Sequence, residues 1–235
     1  MSESADHIIA REFFLPKQRG KIPKAPACRK CNSEKSKLEH YLLTVLPFGG
    51  RHKDAKINLV NAVPKRLGRN VKLFRELSSH RQEVWNAQEN GLILKTSSIP
   101  IDDNKLLQFL EFVVKGLLWY HWRLCLKEEH FIKATSLTTA GEKYLQQNFL
   151  DIDSGERISK NWGEGTFCYD AVQDQNHHER TAWSILIYGG IRFTDRIQHI
   201  SDISSRFGVI TGNKCDVNSE GIHNSNYVLK HLLWK

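Results

Sequence analysis

The stretch Asp6-His7-Ile8-Ile9, followed beyond a basic loop by Cys28-Arg29-Lys30-Cys31-Asn32-Ser33-Glu34-Lys35, decides how this chain is read. Residues 6–16 read as a short strand or turn ending in Phe13-Phe14-Leu15-Pro16. Lys17 to Pro26 is a loop broken by Gly20, Pro23 and Pro26. From Asn32 to Leu46 there is neither Gly nor Pro, and Leu38, Tyr41, Leu42 and Val45 recur at helical spacing. That period predicts a helix with one apolar face. Pro47-Phe48-Gly49-Gly50 is expected to stop it.

Working outward, Val71 to Trp85 is predicted helical, with Val71, Phe74, Leu77 and Val84 on or near one side. Gly91 to Ile101 reads as one or two short strands, and Asp102 or Asp103 caps a long helix reaching Leu126. Thr138 to Phe149 is a further helix. Gly165 to Val172 and Ala182 to Phe193 are rich in β-branched and aromatic residues, with Gly189-Gly190 as punctuation. The expected class is α+β: a small N-terminal unit over 1–50, then a helical and antiparallel β-rich region over 51–235. Leu106 to Leu126 is the most apolar segment, but Gln108, Glu111, Lys115, His121 and Arg123 interrupt it. A buried helix fits that pattern better than a bilayer span, so no membrane partner is expected. The aromatics Trp119, Tyr120 and Trp122 within it read as core.

Length and 40% hydrophobic content suit a globular chain with a substantial core. No basic stretch followed by an apolar run marks a signal peptide. Of five Cys, only Cys28 and Cys31 are neighbours; Cys125, Cys168 and Cys215 are scattered. A disulfide framework is not expected, and a reducing cytoplasm is. Charge is uneven. Residues 1–75 hold 17 Lys and Arg against 6 Asp and Glu, a net of +11, whereas residues 76–235 hold 17 against 20, a net of −3. A concentrated positive region draws polyanions, and its asymmetry points to nucleic acid.

The motif residues suit one chemistry. Phosphodiester hydrolysis needs a base for the attacking water and a divalent cation to neutralise developing charge. An unperturbed imidazole titrates near ~6.5, so His7 suits the first task. Asp6 suits the second, since Mg²⁺ prefers hard oxygen ligands. Neighbours on a regular strand face opposite sides, so Asp6 and His7 share a site only from a strand end or a bent turn. Asn32 offers an amide oxygen, and Lys35, about one turn later, suits a phosphate. Lys17, Arg19, Lys21 and Lys24 would position nucleic acid through its phosphates without reading sequence.

These residues together resemble the HNH (His-Me finger, ββα-metal) endonucleases. The resemblance implies an N-terminal ββα-metal module with His7 as general base and Asp6 and Asn32 holding Mg²⁺, Mn²⁺ or another divalent ion. It implies DNA, more than RNA, as substrate. The longer run from Phe14-x-Pro16-Lys17 through Cys28-x-x-Cys31-Asn32 to Ser36-Lys37 resembles a bacterial subgroup. Gly163-x-Gly165-Thr166-Phe167-x-Tyr169 and Tyr188-Gly189-Gly190 look like segments of its longer members. Many members carry a second Cys-x-x-Cys ahead of the Asp-His, and four thiolates hold a structural Zn²⁺. Here five residues precede Asp6 and none is Cys, so Cys28 and Cys31 supply half of such a site and the first strand is expected to be incomplete. No Asn lies between His7 and Asn32, so the middle Asn of the family has no counterpart. Three functions stay open: the endonuclease, a nucleic-acid-binding module of the same fold with an incomplete site, and an interaction or scaffold protein acting through its C-terminal region.

Overall fold

β1 (Ser4–His7) runs antiparallel to β2 (Lys24–Ala27), with Asp6 opposite Ala25 and His7 opposite Lys24. Residues 4–87, 91–151, 155–192 and 203–215 are described by this computed structural model. The chain between the two strands is less open than the expected loop: a 3₁₀ turn at Arg11–Phe13 buries Phe13, and another covers Pro16–Lys21. α1 (Arg29–Gly49) follows directly on β2. Two short strands therefore precede the helix.

α1 begins three residues earlier and ends three later than its pattern suggested. Cys28 caps it, its Sγ accepting the N–H of Cys31. Pro47 lies inside the last turn. A proline has no N–H to offer the carbonyl four residues back, and Arg66 Nη1 bonds that Leu43 carbonyl at 3.2 Å. The helix thus passes the residue expected to stop it.

Three short helices come next: α2 (Lys53–Asn61), α3 (Val63–Arg69) and α4 (Val71–Ser79). The helix expected to reach Trp85 stops at Ser79, and the chain turns into a hairpin of β3 (Gln82–Ala87) and β4 (Ile93–Ser98). Val84 continues the helical spacing by coincidence; it lies on β3, opposite Thr96. α5 (Asp103–Trp122) is capped by Asp102, whose Oδ1 accepts the Lys105 N–H. It ends four residues short of Leu126, at Arg123 in the left-handed region (φ 55°).

β5 (His130–Thr138) leads into α6 (Thr139–Leu145), and a wide helical turn over Gln146–Leu150 completes the helix expected there. β6 (Gly155–Trp162), β7 (Phe167–Asp174), β8 (Thr181–Ile187) and β9 (Ile203–Asn213) follow. The sheet order is β5-β9-β8-β7-β6, every neighbour antiparallel. The antiparallel β-rich C-terminal region is present, within a mixed α and β architecture.

Among the described residues, apolar packing runs across residue 50. One apolar core joins Ile8, Phe13, Phe14 and Leu42 from the N-terminal part to Val113, Leu117, Tyr169, Trp183 and Val209. α5 lies at its centre, with Phe109, Leu110, Val113, Val114, Leu117 and Leu118 all buried. At roughly 25 cal/mol per Å² of apolar surface, burial of this kind is the main favourable term in folding. Trp119 and Trp122 pack against the core as expected, while Tyr120 is exposed. No helix among the described residues is long and apolar enough to cross a membrane.

The two unexplained C-terminal motifs hold the α1–α2 corner. The N–H groups of Arg51 and His52 donate to the carbonyls of Gly190 and Tyr188, and Arg192 N–H donates to Gly49. The Tyr188 hydroxyl and the Asn58 amide both donate to the Phe13 carbonyl, at 3.0 and 3.2 Å. On the other side, the Thr166 hydroxyl donates to Oδ2 of Asp54 at 2.7 Å. Gly163, at φ 67°, leaves only 2.5 Å between a would-be Cβ and the ring of Phe14. The residues after the Asp-His strand are thereby pinned by segments more than a hundred residues away.

Candidate functional site

A cleft of about 170 Å³ opens where β1, β2, the first turns of α1 and the middle of α5 meet. Asp6 and His7 line it from the first strand and Ile8 from the bend after it, and Cys28, Cys31, Asn32 and Lys35 line it from the cap and first turns of α1. Phe112, Lys115 and Gly116 close it from α5. His7 is the last residue of β1, and Ile8 N–H donates to the Pro23 carbonyl at 3.0 Å as the chain bends. That strand end lets adjacent Asp6 and His7 serve one cleft. Gly116 permits the close approach: a Cβ there would lie 3.1 Å from Ile8 Cγ1.

The structure thus brings Asp6, His7 and Asn32 together, along with both cysteines. Lys35 is with them in a different role. Its ammonium is buried and donates to Asp6 Oδ2 at 2.7 Å and to the His7 carbonyl at 2.6 Å. It also pairs with Glu39 Oε1 at 2.9 Å. Three acceptors match the three hydrogens of an ammonium, so as built none is left for a phosphate. Glu39 in turn accepts the Ala10 N–H at 2.9 Å and fixes the bend after His7. Burial pushes the Glu39 carboxyl above its ordinary value, and Lys35 opposes that shift.

His7 is held below the usual imidazole range, first by burial and then by the cations of Lys24 and Arg11; Asp6 opposes them. A lowered value keeps the ring neutral, and so able to accept a proton, at neutral pH. The Cys28 thiol is lowered, chiefly by the hydrogen bond from the Cys31 backbone, whereas burial raises Cys31.

The basic residues divide. Lys17 and Lys24 are exposed, Lys24 directly across the hairpin from His7. Arg19 is half-buried and spends its Nε hydrogen on the Phe14 carbonyl at 3.0 Å, which makes it partly a brace for the turn. Lys21 belongs to the second 3₁₀ turn, and its side chain lies outside the described residues. Two cations were missed. Arg11 acts on His7, and exposed Lys115 lines the cleft from the far wall. Lys115 was visible as a polar break in an apolar run, but only the fold puts it opposite Asn32.

For a divalent ion, Asp6 and Asn32 offer a carboxylate and an amide oxygen to one cleft. Mg²⁺ keeps several waters and is commonly held by one or two carboxylates with phosphate completing the shell. The donor set fits an ion of that kind, with Lys35 sharing the Asp6 carboxylate. Among the described residues no three His, Cys, Asp or Glu side chains gather closely enough to enclose a metal. Cys28 and Cys31 amount to two of the four ligands a structural zinc requires. No family model, no curated protein and no solved structure matches this chain.

Proposed function

We propose that this chain is a metal-dependent endonuclease of the HNH type, hydrolysing DNA phosphodiester bonds. One observation supports the reading above the rest: His7, Asp6 and Asn32 line a single cleft at the junction of an antiparallel strand pair and the helix after it. His7, neutral because of its burial and its cationic neighbours, takes the proton of the attacking water. Asp6 and Asn32 would hold a divalent ion such as Mg²⁺ or Mn²⁺. When bound, it neutralises charge on the phosphate and stabilises the leaving oxygen. Exposed Lys17, Lys24 and Lys115 grip the backbone without reading bases. Five unpaired cysteines suit a cytoplasmic setting.

Supercoiled plasmid with Mg²⁺ or Mn²⁺ tests this. The wild-type chain is expected to nick it, and His7→Ala to abolish nicking while still binding DNA. Equal cleavage by His7→Ala would sink the assignment.

The Lys35–Asp6 ion pair favours a second reading, in which the module binds nucleic acid and does not cut it. That reading expects salt-sensitive DNA binding and no metal-dependent cleavage by any variant.

A further inference from the structure

The two thiols at the mouth of the cleft take no part in the hydrolysis described above. In a regular helix, side chains three residues apart hold their Cβ atoms about 5–6 Å apart, and a disulfide needs about 3.5–4.5 Å. Cys28 departs from the regular helix. Its backbone is extended (φ −83°, ψ 160°), and its Sγ folds back over the first turn to within 3.4 Å of the Cys31 nitrogen. The pair is accessible, Cys31 exposed and Cys28 half-buried.

The surroundings are electropositive. Cys28 stands at the positive end of a 21-residue helix, the position where protein thiolates are stabilised. Arg29 and Lys30 between the cysteines are exposed, and exposed Lys115 lines the same cleft from α5. The other three cysteines lie on separate elements: Cys125 follows α5, Cys168 is on β7 and Cys215 follows β9. None of them shares a helix turn with a second thiol.

We infer that Cys28 and Cys31 form a redox-active dithiol that exchanges with low-molecular-weight disulfides of the glutathione class. The Cys28 thiolate attacks one sulfur of glutathione disulfide. The S–S bond breaks, one glutathione leaves as thiolate and takes up a proton, and a mixed disulfide remains on Cys28. Cys31 then gives its proton to solvent and attacks Cys28 Sγ, displacing the second glutathione. Two protein thiols lose two electrons to become one disulfide, and one glutathione disulfide becomes two glutathiones. The product staples the cap of α1 to its first turn, immediately before Asn32.

The test uses the full chain, incubated with oxidised glutathione, quenched with acid and N-ethylmaleimide, digested with trypsin and weighed by mass spectrometry. Trypsin cuts after Arg29 and Lys30, so the disulfide appears as two peptides joined through sulfur until dithiothreitol separates them. The wild-type chain is expected to give that joined pair as its main oxidised product. Cys31→Ser is expected to lose it and to trap one glutathione on Cys28. Cys28→Ser is expected to lose it and to leave Cys31 no more reactive than exposed Cys125 and Cys215. Two results overturn the inference: no joined pair from wild type, with Cys28 and Cys31 alkylated as readily as Cys125, or zinc bound to both thiols that blocks the exchange. The wild-type measurement decides the matter without any variant.

Discussion

The Nζ of Lys35 lies 2.7 Å from Oδ2 of Asp6, and the same ammonium reaches the His7 carbonyl and Glu39. A cation supplied by the chain itself thus stands among three oxygens at the base of the proposed site. Replacing it separates attraction from crowding. Lys35→Met frees the Asp6 carboxylate, and we expect Mn²⁺ affinity to rise by about tenfold, some 1.4 kcal/mol. Paramagnetic resonance of free Mn²⁺ reads this directly. The same change leaves buried Glu39 without its partner, a loss of about 1–3 kcal/mol in chemical denaturation. Glu39→Gln on the Lys35→Met background is expected to recover part of it. Unchanged or weaker Mn²⁺ binding would mean that Lys35 does not compete for Asp6.

Cleavage should carry the signature of His7. The ring must be neutral to accept a proton, and its environment holds it below the ordinary imidazole value. The acid limb of the rate profile is therefore expected below pH ~6.5, with activity full above it. Removing a nearby cation with Lys24→Gln should move that limb upward. An acid limb above ~6.5 in the wild type would count against His7 as the base.

The Asp54–Thr166 contact and its neighbour Gly163 can be tested by stability. Asp54 is fully buried, and its second oxygen has no hydrogen-bond partner; His52 Nδ1 stands 3.8 Å away. Thr166→Val removes the one good bond and should destabilise by about 1–3 kcal/mol in urea. Gly163→Ala combines a left-handed backbone with a clash against Phe14. A loss of about 2–4 kcal/mol is expected. Wild-type stability in either variant would show that this corner is not a clamp.

A pH-dependent stability should also appear. His121 shares a 2.7 Å hydrogen bond with Tyr169, and burial, with Lys160 nearby, holds its pKa at about 4. In the unfolded chain an imidazole titrates near ~6.5. Between those values the unfolded chain binds the extra proton, so stability is full above the upper value and falls as pH drops through the window. His121→Gln should flatten that part of the curve of midpoint against pH. An unchanged slope would place the titration elsewhere.

Much of the site was legible because its signals are local. Leu38, Tyr41, Leu42 and Val45 mark α1 by period alone, the Cys-x-x-Cys-Asn segment sits at its start, and the Asp-His segment lies on the strand before it. The start of α1 was hidden because its cap is a cysteine and not one of the usual oxygen-bearing caps. The continuation past Pro47 was hidden because it depends on Arg66, from another helix. β5, β6 and β9 were not read because their pairing is decided by distant partners. The roles of Lys35 and Glu39 were missed for the same reason: Asp6 and His7, which Lys35 bonds, and Ala10, which Glu39 bonds, lie 28 or more residues back in the chain.

The clamp on the α1–α2 corner has a consequence for how the protein comes into being. Asp6, His7 and Asn32 leave the ribosome early, whereas Tyr188 and Gly190, which hold the corner and the Phe13 carbonyl, come more than 150 residues later. At the usual pace of synthesis that delay is on the order of ten seconds or more. During it, the strand end that aligns Asp6 with His7 has only its local bonds to Pro23, Lys35 and Glu39, and the Phe13 carbonyl lacks its partner Tyr188. We expect a chain released before Tyr188 to be inert, its cleft unformed, when assayed as a fragment spanning 1–180. On the proposed reading, the order of translation itself would keep half-made copies from acting on nucleic acid.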